Sequence, residues 1–127
     1  MATLGASITN VVPGAVEISV VPRAAISQQH GFVHAGAVSA IADSAAGYAA
    51  LSLMPASTGV LTTEFKINLI APAAGDRIVA RGRVVRAGRT LTVAQTEVFA
   101  QSGAQERLIA LVTATLMTIE GREDVAD

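Results

Sequence analysis

Three observations predict an α+β domain in which one long helix lies on an antiparallel sheet. The stretch Ala35 to Met54, AGAVSAIADSAAGYAALSLM, has no proline and is dominated by the strongest helix former. Beyond Pro55 come four segments rich in β-branched residues: Gly59 to Ile70, Asp76 to Ala87, Thr90 to Gln101 and Arg107 to Ile119. The joints between them, Pro72 to Gly75, Gly88-Arg89 and Ser102-Gly103, are short enough for antiparallel neighbours. A single apolar helix and one antiparallel sheet bury each other as two layers.

The elements follow in order. Ala6 to Val12 and Ala15 to Val21 are short β-like runs split by the turn signal Pro13-Gly14, and Pro22 ends the second. Arg23 to Val33, RAAISQQHGFV, is a polar loop that delivers the chain to the helix, which Pro55 closes. The four later strands are expected to form a meander, and the charged tail EGREDVAD to fray. No repeat or long linker divides the 127 residues, so 1–127 is one domain, large enough to bury roughly two-thirds of its unfolded surface.

Composition narrows the function. The absence of cysteine excludes disulfides and thiolate metal sites. A net charge of −1, a pI near 6.1, one tyrosine and three phenylalanines provide neither a basic footprint nor a stacking platform for nucleic acid. The start MATLGASITNVVPG lacks the basic n-region and apolar core of a signal peptide, so a cytoplasmic protein is expected. The helical stretch is rich in alanine, serine and glycine and carries Asp43 near its middle, which argues against a membrane span. A mean hydropathy of +0.51, and a helix apolar nearly all round, predict a subunit interface.

Asp43 is the residue that points to chemistry. Apart from the phenol of Tyr48, it is the only ionisable group between Ala35 and Met54. Burying an ionised carboxylate costs several kcal/mol unless partners offset it. A structural acid satisfied by hydrogen bonds, or one facing water, is the ordinary alternative, but the apolar surroundings weigh toward function. Upstream, His34-Ala35-Gly36 supplies small residues where the helix begins, and the first amides of a helix have no internal acceptors and attract anions.

The run Gln28-Gln29-His30-Gly31-Phe32-Val33-His34-Ala35-Gly36, followed seven residues later by Asp43, resembles the signature of hotdog-fold acyl-CoA thioesterases of the phenylacetic-acid-degradation (PaaI-like) branch. In that family a His-Gly-Gly turn opens the central helix, and an Asp or Glu stands nine residues after the histidine. Thr62-Thr63-Glu64-Phe65-Lys66-Ile67-Asn68, ending at Ala71-Pro72, resembles its first strand after the helix, and Arg86-Ala87-Gly88-Arg89-Thr90 its Gly-Arg/Lys-Thr hairpin. The resemblance runs from about Gly14 to Ile119. It implies a hotdog fold, a long central helix wrapped by a curved antiparallel sheet, and hydrolysis of aryl- or medium-chain acyl-CoA.

The resemblance also implies roles for single residues. Asp43 is the catalytic carboxylate, as nucleophile or general base, and the Ala35 amide after His34 is the oxyanion donor. Gln28 is an orienting side chain and Thr62 a water-holding hydroxyl, while Gly36, Gly47, Thr63, Arg86, Arg89 and Thr90 are substrate contacts. Two positions depart from the pattern. Ala35 replaces the usual glycine, keeping the N–H but adding a Cβ, and Gly47 stands where some relatives carry a threonine, leaving Thr62, Thr63 or Ser44 to supply a hydroxyl. No cofactor is implied, since coenzyme A is part of the substrate; the assembly implied is at least a homodimer, with a dimer of dimers expected. A non-catalytic acyl-CoA binder and an acyl-thioester hydratase or dehydratase are the rivals, and the His-Phe-Pro run of acyl-carrier-protein dehydratases is absent.

Spacing adds a constraint. With the helix starting near Ala35, Asp43 lies eight residues in, roughly 12 Å along the axis at 1.5 Å per residue. One carbonyl cannot touch both. An antiparallel partner helix would bring one chain's Asp43 beside the other's helix entry, giving two equivalent sites in a twofold dimer. His30 and His34 either act as a base or fix the loop by hydrogen bonds; their spacing lacks the glutamate of a zinc-protease pattern, and Gly31 interrupts any helix between them. No serine lies in a Gly-x-Ser-x-Gly elbow. Arg81, Arg83, Arg86 and Arg89 are either solvated strand charges or a site for coenzyme A phosphates.

Overall fold

A computed structural model describes residues 1–120. It forms six antiparallel strands and one α-helix: β1 (Ser7–Val12), β2 (Ala15–Val20), α1 (Ala35–Leu51), β3 (Thr58–Leu69), β4 (Arg77–Ala87), β5 (Leu91–Ser102) and β6 (Gln105–Glu120). Every element predicted from the sequence is present, with bounds moved by one to three residues. The helix stops at Leu51 rather than Met54, because Ser52 caps it and its hydroxyl turns back to the Ala49 carbonyl at 2.7 Å. The same hydroxyl accepts the Gly14 amide at 2.8 Å, tying the β1–β2 turn to the helix end. Gly14 takes φ 80°, a conformation glycine adopts at no steric cost. A short 3₁₀ turn at Ala2–Leu4 had no sequence signal; of the charged tail, all but Glu120 lies outside the described residues. Among the described residues no helix is long and apolar enough to cross a membrane.

The expected meander is corrected. Strand order is β1-β2-β4-β5-β6-β3, so β3 pairs with β6 at the far edge and β4 pairs with β2. The segment around Pro72 is therefore a crossover, not a hairpin. Its Ala73 is buried and its carbonyl accepts the Val33 amide at 3.0 Å, so the crossover packs across the approach to the helix. Period-2 patterning marks strands but not their partners, and the order is set by which strands can cover the helix.

One face of α1 is a stripe of small residues. Val38, Ile41, Ala42, Ala45, Ala46, Ala49 and Ala50 are buried, at the i, i+3, i+4 and i+7 spacing of a single helical side. They pack on Ile18, Ile78, Val98, Val112 and Leu116 of the sheet's inner face, all fully buried. Alanine lets the helix sit low, and Gly82 of β4 lets it sit lower still. A Cβ at position 82 would lie 2.6 Å from the Ala45 carbonyl oxygen and 2.8 Å from the Ala46 nitrogen. Beside this contact the buried Thr96 hydroxyl donates to the Ala42 carbonyl at 2.8 Å, fastening helix to sheet by a hydrogen bond as well as by packing.

This close approach makes a direct prediction. Gly82→Ala must push the helix backbone off the sheet, and overpacking of this kind costs about 1–3 kcal/mol. Urea unfolding of the variant should show that loss, and an unchanged midpoint would mean that the helix is free to rise without cost.

Candidate active site

Asp43 projects from the side of α1 that the sheet leaves open. It is half-buried, and the Thr62 hydroxyl on β3 donates to its Oδ1 at 2.8 Å. Together with Ser44, Gly47, Tyr48 and Val60 these two residues line a cleft of about 150 Å³. The fixed acid of the sequence reading and its hydroxyl partner are thus adjacent, although they stand nineteen positions apart. A β-bulge between Thr62 and Glu64 decides which threonine serves. Thr62 turns toward the helix, whereas Thr63 donates to the Thr115 carbonyl at 3.1 Å and does not join Asp43. Bulges leave no reliable trace in a single sequence, so the residues alone left Thr62, Thr63 and Ser44 open, while the resemblance pointed to Thr62.

The helix entry forms a second, larger cavity of about 510 Å³. Phe32, Val33, Val38, Leu69, Pro72 and Ile109 give it apolar walls, and Gln28, His34 and Ala35 lie on it as well. His34 is the N-cap of α1: its φ of −62° and ψ of 139° are extended, and its ring Nδ1 accepts the Gly36 amide at 2.8 Å. Its carbonyl accepts the amides of Ala37 and Val38 at 2.9 and 3.1 Å. Of the first four helix amides, only that of Ala35 has no acceptor among the described residues. The sequence pointed to this amide; the structure adds that Gly36, a predicted substrate contact, has its own N–H occupied.

His34 therefore uses Nδ1 to hold the helix start, which matches the loop-fixing alternative. Gln28 holds the loop too. Its Oε1 accepts the His30 amide in a short contact, and its backbone closes the turn with Phe32 and Gly31, where Gly31 takes φ 85°. The His30 ring lies 3.4 Å from the Gln29 side-chain nitrogen and stays exposed. Among the described residues no group of three or more His, Asp or Glu gathers as metal ligands would.

The four arginines do not form one cluster. Arg81 is committed to the sheet: it bonds Glu17 on β2 at 2.9 Å and Glu106 on β6 through two contacts of 2.8 and 2.6 Å, with its guanidinium over the Phe99 ring at 5.0 Å. Arg83 donates to Gln95 at 2.8 Å. Arg86 and Arg89 are exposed and make no hydrogen bond or ion pair among the described residues. Arg89 borders a cavity of about 220 Å³ with Leu53, Met54 and Pro55, beyond the C-terminal end of the helix. Thr90 is also exposed, and its carbonyl accepts the Thr118 amide at 2.8 Å. In one chain this hairpin is thus at the opposite end of α1 from Ala35.

Sequence reasoning missed the walls of both cavities. Tyr48 and Val60 beside Asp43, and Leu69 and Ile109 at the helix entry, read as ordinary core positions of a helix or strand. Only the exposed Phe32, an aromatic in a polar loop, offered a signal.

Comparison with known proteins agrees with this fold. Residues 30–106 match the family model of the Thioesterase superfamily. A crystal structure of a thioesterase family protein from Silicibacter pomeroyi is 53% identical, with 95% of this chain and 89% of that chain covered and a TM-score of 0.93. A mutant of the phenylacetic acid degradation protein PaaI from Thermus thermophilus is 26% identical over 92% of this chain and 96% of that one, with a TM-score of 0.80. A thioesterase from Haemophilus influenzae, at 20% identity, 94% and 81% coverage and a TM-score of 0.86, shares the fold. No curated protein matches the chain in sequence.

The arginine network carries a pH prediction. Hydrogen bonds from Arg81, then from Gln101, hold the Glu106 carboxyl down at about 2 against an ordinary 4.5, and Arg81 and Thr9 lower that of Glu17. A carboxyl whose folded value is depressed stabilises the fold fully above its ordinary value and loses that contribution as pH falls through the folded value. The Tm advantage of the natural protein over Arg81→Gln should therefore be constant from pH 7 to about 4.5 and vanish toward pH 2. Thermal melts across that range check it; no advantage at pH 7 would mean that solvent screening cancels the pair.

Proposed function

The chain belongs to the Thioesterase superfamily, as a hotdog-fold thioester hydrolase of PaaI type, and from this we propose that it hydrolyses acyl-CoA at sites built from two copies. The observation that carries the proposal is the separation of the two half-sites. Asp43 with Thr62 and the free Ala35 amide lie on one continuous helix, roughly 12 Å apart along its axis. An antiparallel second copy would set each Asp43 beside the other chain's helix entry. The uncovered side supports this: Phe65 is 45% exposed and Leu69 58% on the helix-facing side of edge strand β3. On the outer face Leu61, Met117 and Leu91 lie in register as an exposed apolar row, which supports the pairing of two such dimers.

In this reading the thioester carbonyl lies between the Asp43 carboxylate of one chain and the Ala35 N–H of the other. The amide and the helix dipole stabilise the oxygen as it becomes negative. Thr62 holds one carboxylate oxygen, leaving Oδ2 to attack the carbonyl carbon or to take a proton from an attacking water. The carbon–sulfur bond then breaks, and the thiolate of coenzyme A leaves and takes up a proton. No cofactor is needed. The substrates that suit the cavities carry an aryl or medium-chain acyl group, and Arg86, Arg89 and Thr90 form an edge suited to coenzyme A phosphates.

Complementation tests the shared site. Asp43→Asn should lower turnover by on the order of 10²-fold. Ala35→Pro removes the free N–H; proline is tolerated at the first helical position, and the extended His34 is the conformation that precedes proline. Each variant alone should be nearly inactive. Co-refolded in equal amounts, they should regain about a quarter of the natural activity, since half the dimers are mixed and each has one intact site. A mixture that stays inactive would place both groups in one chain's site. Tight acyl-CoA binding with no release of free thiol by the natural protein would favour a binding protein over an enzyme.

The hairpin is tested separately. Arg89→Ala should raise KM for acyl-CoA several-fold and leave kcat nearly unchanged, with little effect on an acyl thioester of a short thiol without phosphates. Equal losses on both substrates would remove the phosphate-binding role.

A further inference from the structure

Within one chain, Gly47 has no structural reason to be glycine. It sits inside α1, one turn beyond Asp43, where glycine weakens a helix relative to alanine. Its φ is not positive, so its conformation does not require glycine. Packing does not require it either. A Cβ at 47 would meet only the Leu116 side chain, at an ordinary 3.7 Å, whereas one at Gly82 would collide with helix backbone. What the missing side chain leaves is space, in the cleft beside Asp43 that Ser44, Tyr48, Val60 and Thr62 also line.

We propose that Gly47 is the specificity-determining residue of the site: the cleft beside Asp43 takes the acyl group, and the absent side chain at 47 sets its width. This rests on the reading of Asp43 as the catalytic acid. A carbonyl held between Asp43 of one chain and the Ala35 amide of another has a cavity on each side. The helix-entry groove, at about 510 Å³, has apolar walls but also carries Gln28, Gln29 and His30, and its volume suits the long amide-bearing arm of coenzyme A. The smaller cleft, at about 150 Å³, is left for the acyl group. A closed cavity of about that size holds one benzene ring, and this cleft is open on the side that a second copy would cover. The acyl group is therefore compact, and a methyl group added at 47 takes a large share of its room.

The test is Gly47→Ala, assayed on acetyl-, butyryl-, hexanoyl- and phenylacetyl-CoA. Tm should rise by roughly 2–5 °C, because the helix gains alanine and nothing clashes. The ratio of kcat/KM for phenylacetyl-CoA to that for acetyl-CoA should fall by about tenfold or more, the scale at which a pocket senses one methylene. Binding of the same thioesters to Asp43→Asn and to Asp43→Asn with Gly47→Ala, followed by calorimetry, should show the same loss for the larger group. A ratio within twofold of the natural enzyme, or equal losses for all four acyl groups, would overturn the proposal. Absence of thiol release from the natural protein would remove the catalytic reading instead, and the binding ratio would still decide whether Gly47 limits the acyl group.

Discussion

The closeness of helix and sheet is the constraint on which everything else rests. Gly82 allows the helix backbone at Ala45 and Ala46 to approach β4 where no side chain would fit, and the alanine stripe follows it down. Alanine buries little area per residue, so the core gains stability from dense contact and from large partners on the sheet, Ile18, Ile78 and Leu116 among them. The buried bond from Thr96 to the Ala42 carbonyl adds a polar anchor at the same level. A helix seated this low has a rotation that cannot drift, and its rotation decides which residues face outward.

The outward side carries the candidate acid. With Val38, Ala42, Ala45 and Ala49 turned to the sheet, Asp43, Ser44 and Gly47 must face the gap between α1 and β3. There the bulge in β3 presents Thr62, and the carboxylate receives a hydrogen bond while keeping access to solvent. At the other end of the helix the His34 cap satisfies one amide with its ring and two with its carbonyl, leaving the Ala35 N–H as the available donor. Asp43 and the free Ala35 amide are held by the same rigid element, and that rigidity keeps them apart within one chain. The open side of the helix and the apolar residues of β3 are the features that a second copy would cover.

Charge is divided by the same geometry. Strand alternation sends Arg81 and Arg83 to the outer face, where Glu17, Glu106 and Gln95 occupy them. Arg86 and Arg89 lie at and beyond the end of β4, past the reach of those partners, and remain exposed. An arginine count in the sequence overstated the positive surface of this hairpin, because two of its four cations serve the sheet.

The sequence by itself determined the elements and singled out Asp43 as the candidate acid. Proline-free alanine, β-branched alternation and turn glycines are local signals, and a lone aspartate in an apolar helix is conspicuous without any coordinates. The resemblance carried by Gln28 to Gly36 and Asp43 named the same family that the whole-chain comparison shows. Tertiary structure decided the strand order that moves β3 to the edge, and the choice of Thr62 over Thr63 through a bulge. It also decided the use of His34 as a cap and the pairing of Arg81. Each of these depends on which distant backbone groups meet, and hydrogen-bond partners across a sheet are chosen by packing against the helix, a non-local property that residue patterns do not encode.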